Sequence, residues 1–378
     1  MHFTINNADF QRGLRKIDPA ISKRPTTHAH ASITLDAIQP KTFPSVRPFL
    51  RISGEYPDGY VKYRAPVLSV AEYGSVAVDA GVLASILRRL PRNAVVTVRK
   101  VQDKGKVVIE AGDFSLELDA NHPDPIPARY ETGQGASFAV PVTDLARLFR
   151  RTQKAMADHR SSKYLNVVFL HTKSGRLRAV ATNGHWLSLT SVPLPDKAGD
   201  VEGITVPRST VLGVLKVLKG VSGFATISVS DDLVCIGADR VEIFLRSVDG
   251  FFPKYEYVIP GEGCNQKVVT VNTKGLADLL DRIIPALDRK QPVVGLDISK
   301  NSIVVSNAEI GSVGCAGKVE ANSNISNMKI FFNAKYLLDA LSVIEGEHAR
   351  FEIKDQRSPV IILDPKDEYT LHLIMPWA

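Results

Sequence analysis

Three cysteines in 378 residues leave little room for covalent or metal chemistry. Cys235, Cys264 and Cys315 are odd in number and far apart, which fits neither a disulfide framework nor a zinc site. Reduced thiols are the expectation. No run approaches the ~18 apolar residues of a membrane span. The opening MHFTINNADFQ has no apolar signal core, so a cytoplasmic protein is expected. Also missing are Gly-x-Gly-x-x-Gly after a strand, the P-loop, His-Glu-x-x-His and Cys-x-x-Cys. The histidines are scattered. His28 and His30 sit in a Pro/Thr-rich loop, and His122 with Asp124 belongs to a turn, NHPDPIP. Neither a catalytic site, a cofactor nor a metal is implied.

What is present is a soluble composition, 44% hydrophobic and 23% charged, with length for two or three domains. Lys and Arg number 47 against 40 Asp and Glu; the net charge of +7 favours a polyanionic partner. The stretch Pro207–Gly220 reads as an amphipathic helix, with an apolar face at Val211, Leu212, Leu215 and Leu218. Pro207 suits its start and Gly220 its end. Similar helices recur at 78–91 and 332–346. A second set of three is expected at Asn7–Ile17, Thr143–Met156 and Thr273–Leu287, capped by Asn7, Thr143 and Thr273. Pro285 should interrupt the last of these.

Alternating apolar runs separate the helices, at Ala94–Val101, Lys106–Leu118, Thr226–Arg246 and Arg350–Leu363. The pattern is a threefold α+β repeat, each unit carrying two helices on antiparallel sheet. Gly-rich stretches at Gly133–Gly135 and Gly261–Gly263 place the units at 1–133, 134–262 and 263–378.

Charge is arranged along the helices. Arg147, Arg150, Arg151 and Lys154 fall at helical spacing and predict one basic stripe opposite the apolar face. Arg12, Arg15 and Lys16 do the same in the first helix, and Arg88, Arg89 and Arg92 end the second. Such a stripe is a solvated face or a phosphate contact, and its repetition favours phosphate. Without interleaved aromatics, single-strand stacking is not expected.

Several short motifs resemble those of the bacterial sliding clamp, the beta subunit of DNA polymerase III. They are Ser22-Lys23-Arg24-Pro25-Thr26, Lys163-Tyr164-Leu165-Asn166, Ala181-Thr182-Asn183-Gly184-His185, Val206-Pro207-Arg208, Phe252-Pro253-Lys254-Tyr255 with Val258-Ile259-Pro260, and Met375-Pro376. Their order and the threefold repeat cover nearly the whole chain. The resemblance implies a ring of two head-to-tail copies, helices lining a hole and sheets outside, around duplex DNA of any sequence. It places Arg24, His159, Arg160, Lys163, Tyr164 and Arg208 with the basic stripe against DNA. It implies a peptide groove between the second and third units, for the polymerase III alpha subunit, the clamp loader and other proteins with a clamp-binding motif.

The groove positions carried over are Leu165, Thr182, Gly184, His185, Trp186, Leu187, Pro253, Tyr257 and Val258, with Pro359, Val360, Leu373, Ile374, Met375, Pro376 and Trp377. Trp186 and Tyr257 stand where the family often has arginine, so with Trp377 they predict an aromatic-walled groove. The ring seam is expected to join Phe114 and Leu116 to Ile283 and Ile284 of the next copy. The alternatives are a specialised, element-encoded clamp paralogue and a monomeric basic DNA-binding protein.

Overall fold

The computed structural model describes residues 1–17, 32–39, 47–56, 59–101, 104–123, 136–158, 164–195, 201–230, 233–247, 251–307 and 314–377. Arg24, His28, His30, Asp124, Gly133–Gly135, His159, Arg160 and Lys163 lie outside the described residues.

Among the described residues, six times in chain order, a strand leads into a helix that is followed by three strands. The first repeat is β1 (His2–Asn6), α1 (Asn7–Ile17), β2 (Ser32–Ile38), β3 (Phe49–Tyr56) and β4 (Gly59–Pro66). After a short edge strand, β5 (Ser69–Glu72), come β6 (Gly74–Asp79), α2 (Ala80–Leu87), β7 (Val95–Val101), β8 (Lys106–Ala111) and β9 (Phe114–Asn121). The third repeat is β10 (Ala136–Pro141), α3 (Val142–Thr152), β11 (Val167–Lys173), β12 (Arg176–Thr182) and β13 (Trp186–Pro193). The fourth is β14 (Ile204–Pro207), α4 (Arg208–Leu218), β15 (Phe224–Ser230), β16 (Leu233–Ala238) and β17 (Val241–Arg246). The fifth is β18 (Lys267–Asn272), α5 (Thr273–Ile283), β19 (Val293–Ser299), β20 (Ser302–Asn307) and β21 (Ala316–Ser323). The last is β22 (Asn327–Asn333), α6 (Ala334–Leu341), β23 (His348–Ile353), β24 (Val360–Leu363) and β25 (Thr370–Ile374).

Local chemistry explains these boundaries. Asp79 Oδ1 accepts from the Val82 N–H at 2.7 Å and starts α2; Asn272 and Asn333 do the same for α5 and α6. The cap of α5 is therefore Asn272 and not Thr273, because the oxygen must lie one residue outside the first turn. As expected, Pro285 ends that helix, which closes in a 3-10 turn over Ile284–Ala286. Ser174 and Gly175 both take positive φ, at 53° and 68°, and make the two-residue turn that joins β11 to β12.

The helices bury one stripe each. Phe10, Leu14 and Ile17 of α1, Leu276, Leu280 and Ile283 of α5, and Leu145, Leu148 and Phe149 of α3 are inaccessible or nearly so. The sheet pairing is antiparallel throughout, and the fold is α+β.

Two compact units result: the first chiefly Met1–Leu145 and Ser209–Ser247, the second chiefly Ala146–Leu194 and Val248–Ala378. The expected middle unit, 134–262, contributes to both. The first unit holds a 13-stranded sheet and the second a 12-stranded one. In the first, β17 continues the sheet onto β4, with Ile243 opposite Val61. In the second, β13 continues onto β25, with Ser188 opposite His372. Each such join is made by the last strands of two different repeats.

Candidate DNA-facing helices and peptide groove

The basic stripe divides once burial is considered. Arg150 is exposed and Arg147 half-buried. Arg151 is 4% exposed and turns inward. Its guanidinium pairs with Asp367 and with Glu345 at 3.2 Å, and donates to Thr370 Oγ1 at 2.6 Å. The expectation that Arg151 faces DNA is therefore corrected: a residue nine places into α3 has come round to the side of the apolar face. Lys154 is exposed, but its Nζ is held by Asp339 at 2.9 Å and Ser342 at 2.7 Å. Arg208 is half-buried, its guanidinium 3.4 Å from the Met156 carbonyl. Tyr164 lies exposed.

In the first unit Arg12, Arg15, Arg88, Arg89 and Arg92 are all exposed. Lys16 instead donates to the carbonyls of Val217 and Lys219, both at 2.7 Å, at the end of α4. That negative helix terminus is a natural place for an ammonium group. Exposed cations thus occur on α1, just past α2 and on α3, while those nearest the apolar stripes serve packing.

The β13–β25 join has two faces with different chemistry. On one, Leu187, Leu189 and Leu373 form a cluster with Val180 and Tyr255, and Phe169, Phe252, Ile259 and Leu371 pack against it. Phe169 and Phe252 stack at 4.9 Å, and the Tyr255 hydroxyl meets His171 Nε2 at 2.8 Å. Burial lowers the His171 pKa and raises that of Tyr255, so this pair is neutral near pH 7. Residues 251–259 thereby lie along the sheet and carry Pro253, Tyr257 and Val258 as exposed side chains. Tyr257 is 84% exposed, the most open of the expected groove aromatics.

On the other face Thr190 meets Thr370 at 2.7 Å, Ser188 donates to the Arg151 carbonyl at 2.8 Å, and His372 lies fully buried. Burial first, and the Arg151 charge second, push the His372 imidazole down to about 3. Trp186 belongs to this face. It is 1% exposed and its ring lies 6.4 Å from those of Tyr336 and His372. Trp186 is thus corrected from groove wall to core: strand alternation sends residue 187 to the outer cluster and residue 186 inward.

The remaining groove positions follow the strands. Thr182 Oγ1 accepts from Gly184 N–H and donates to the Trp186 carbonyl, shaping a turn in which Gly184 takes a φ of 91°. His185 is exposed, stacks on Tyr336 at 6.3 Å, and its carbonyl accepts from Met375 N–H at 2.9 Å. Val360 pairs with Ile374 on neighbouring strands, and both are buried with Leu373. Pro359 is half-buried and its carbonyl takes a bond from Asn265. Pro376 is buried; Met375 and Trp377 are exposed, with Trp377 N–H bound to the Phe331 carbonyl. Leu165 is half-buried, its carbonyl accepting from Ala157. Leu187 and Leu373 are thus buried on the face over which the segment of Tyr257 and Val258 lies, and Val360 and Ile374 on the face of Trp186, while His185, Met375 and Trp377 are exposed just before β13 and just past β25. Phe169, His171 and Tyr255, absent from the expected set, hold the segment that carries Tyr257 and Val258. Only Tyr255 had a signal, its place in Phe252-Pro253-Lys254-Tyr255.

The expected seam residues differ in exposure. Phe114 is 39% exposed, and Leu116 and Ile284 are half-exposed. Ile283 is buried in the packing of α5, where it lines a pocket together with Leu279, Cys315 and Gly317. Among the described residues no group of His, Cys, Asp or Glu could hold a metal, and no helix is long and apolar enough to cross a membrane.

Tandem repeats of this kind, with exposed cations on several helices and exposed apolar side chains beside a sheet join, fit the clamp class of protein. Residues 139–254 match the family model for the DNA polymerase III beta subunit central domain, and 256–378 that for its C-terminal domain. The beta sliding clamp of Caulobacter vibrioides is 28% identical, over 100% of this chain and 99% of that protein. The beta sliding clamp of Pseudomonas aeruginosa is 26% identical, with the same shares covered. The crystal structure of the DNA polymerase III subunit beta from Pseudomonas aeruginosa superposes with a TM-score of 0.91 at 25% identity, over 100% of both chains. The chain belongs to the DNA polymerase III beta subunit family, and its function is that of a DNA sliding clamp.

Proposed function

We propose that two copies of the chain close head to tail into a ring around duplex DNA, each contributing three clamp domains over 1–133, 134–262 and 263–378. The observation that carries this is the pattern of sheet joins. The last strands of the six repeats are β4, β9, β13, β17, β21 and β25. Four are consumed in the β4–β17 and β13–β25 joins. The two left over, β9 and β21, each bond to β8 or β20 along one side. Their other side is paired only at the far ends, through Val78↔Ala120 and Val269–Val271. Two free edges of opposite ends of one chain are complementary to a second copy and close after two.

Within such a ring, Arg147, Arg150, Tyr164 and Arg208 of the second unit would meet phosphate, joined by Arg24, His159, Arg160 and Lys163. Lys154 would join them by exchanging Asp339 for phosphate. Contact of this sort positions DNA and reads no sequence. The rim around His185, Tyr257, Val258, Met375 and Trp377 would hold short apolar peptide segments of the polymerase III alpha subunit, the clamp loader and other clamp-binding proteins. The protein acts in the cytoplasm as an accessory to the polymerase, with no catalytic site of its own. The test is topological: loaded protein should remain on circular DNA and run off linear ends. Equal retention on both would overturn the reading.

A further inference from the structure

Tyr257 and Val258 stand on a segment that does not hold itself in place. Residues 251–259 form little regular structure, only a 3-10 turn over Tyr255–Val258. The backbone bonds of that turn are long. Tyr257 N–H reaches the Lys254 carbonyl at 3.3 Å and Ile259 N–H the Glu256 carbonyl at 3.4 Å, where about 2.9–3.0 Å is usual. Tyr257 and Val258 are 84% and 52% exposed, so their own packing does little to fix where they point. His185 and Met375 differ in this respect. They flank paired strands and are joined by the Met375 N–H to His185 carbonyl bond.

What fixes the segment is a row of side chains on β11. Phe169, His171 and Lys173 alternate along that strand and so share one face. Phe169 stacks on Phe252 with the rings 5° from parallel, and on His171 at 5.1 Å. His171 Nδ1 lies 3.3 Å from the Thr172 carbonyl, which can only accept. Nδ1 therefore carries the proton, and Nε2 accepts from the buried Tyr255 hydroxyl. Lys173 pairs with Glu256 at 3.3 Å, but both are exposed, and such a pair contributes little. The stack and the buried hydrogen bond are the stronger holds. Phe169 is in turn placed by residues 201–203. Thr172 N–H donates to the Val201 carbonyl at 3.0 Å, and Val201 N–H to Thr172 Oγ1 at 2.8 Å. Gly203 then lies so close to the Phe169 ring that a Cβ there would fall 2.3 Å from Cε2 and Cζ. Only glycine leaves the ring room to stack on Phe252.

We infer that Gly203, Phe169, His171 and Tyr255 are positioning residues for peptide binding, an inference that rests on the groove proposed above. They hold Tyr257 and Val258 as a preformed lip and act on a bound peptide only through it. A loose lip would have to be ordered as the peptide binds, and fixing the backbone of one residue costs about tenfold in affinity. A lip already held by Phe252 and Tyr255 avoids that cost. Peptide affinity is thus set partly from β11 and from Gly203, beyond the side chains a peptide would meet.

The test is a set of mutant cycles on the full chain, read by titration with a leucine- or phenylalanine-ended peptide. Phe169→Leu removes the stack and Tyr255→Phe the hydroxyl, while both keep an apolar side chain in place. Each should weaken binding by about five- to tenfold, and Gly203→Ala should do the same by displacing the Phe169 ring. In a chain that already carries Tyr257→Ala and Val258→Ala, the three losses should shrink to within about twofold, because no lip remains to be positioned. A general structural defect would persist unchanged in both backgrounds. Amides of 255–259 should also exchange faster in Phe169→Leu while those of β11 and β12 keep their protection. Equal fractional losses in the two backgrounds, or parent affinity in all three variants, overturn the positioning role and leave the groove standing. If the Tyr257→Ala, Val258→Ala chain binds the peptide as the parent does, the lip is no part of the groove, and the positioning role falls with it.

Discussion

Arg151 shows how far a side chain's role depends on its angular position around a helix. Spacing alone groups it with Arg147 and Arg150, yet Arg151 is buried against Asp367, Glu345 and Thr370. Removing one partner of a buried ion pair leaves the other charge uncompensated. Arg151→Ala is therefore expected to lower stability by about 3–5 kcal/mol in urea unfolding. Arg150→Ala should leave stability within about 0.5 kcal/mol and reduce the salt dependence of DNA binding by about one phosphate contact. An Arg151→Ala protein as stable as the parent would show the cluster to be unimportant.

His372 gives a pH dependence at the same scale. Its folded-state pKa, about 3, lies below the unfolded value near 6.5, so the unfolded chain binds a proton that the folded chain refuses. Stability is fully retained above pH 6.5 and falls as pH drops toward 3, by about 1.4 kcal/mol per unit. His171, also shifted down, adds to the same slope. Asp367 is held low by Arg151 and the Tyr369 N–H against the opposing effect of burial. Its contribution holds above the unfolded carboxylate pKa and is lost as pH falls through the folded one, at more acidic pH. Unfolding between pH 5 and 7 should therefore show a shallower slope in His372→Gln than in the parent. Equal slopes would assign the effect elsewhere. None of this was legible in the sequence: His372 sits in an alternating strand, and only pairing with β13 shows that its face is the buried one.

At the scale of elements, more could be read. The six helices follow from apolar periodicity, and Pro285 ends α5 as its missing N–H requires. The β8–β9 hairpin follows from Gly112, which takes a positive φ of 59°. What periodicity could not give was which of two adjacent strand residues faces the groove. Trp186 and Leu187 are both apolar, so alternation leaves their faces undetermined, whereas the pairing of Leu187 with Leu373 decides it. Trp186→Ala should cost about 3–5 kcal/mol as a core truncation. Tyr257→Ala should leave unfolding unchanged and weaken binding of a leucine- or phenylalanine-ended peptide by about tenfold, equal to 1.4 kcal/mol. A titration in which Tyr257→Ala binds as the parent does would remove Tyr257 from the rim.

At the scale of the whole molecule, the two kinds of sheet join differ in thermodynamic order. The β4–β17 and β13–β25 pairings lie within one chain, so their formation is independent of concentration. A seam between β9 and β21 depends on a second copy and weakens on dilution by mass action. Both use the same backbone bonds, so amide exchange can compare them directly. At high protein concentration the amides of 114–119 and 316–320 that point to the free edges should exchange slowly. On dilution below the dimer dissociation constant they should lose protection, while amides of Val241–Leu245 and Trp186–Thr190 keep theirs, since local opening there still has to break intact sheet. Equal loss at all of these strands would mean that the ring and the chain unfold together. Protection at 114–119 that ignores concentration below that constant would mean that it does not come from a second copy.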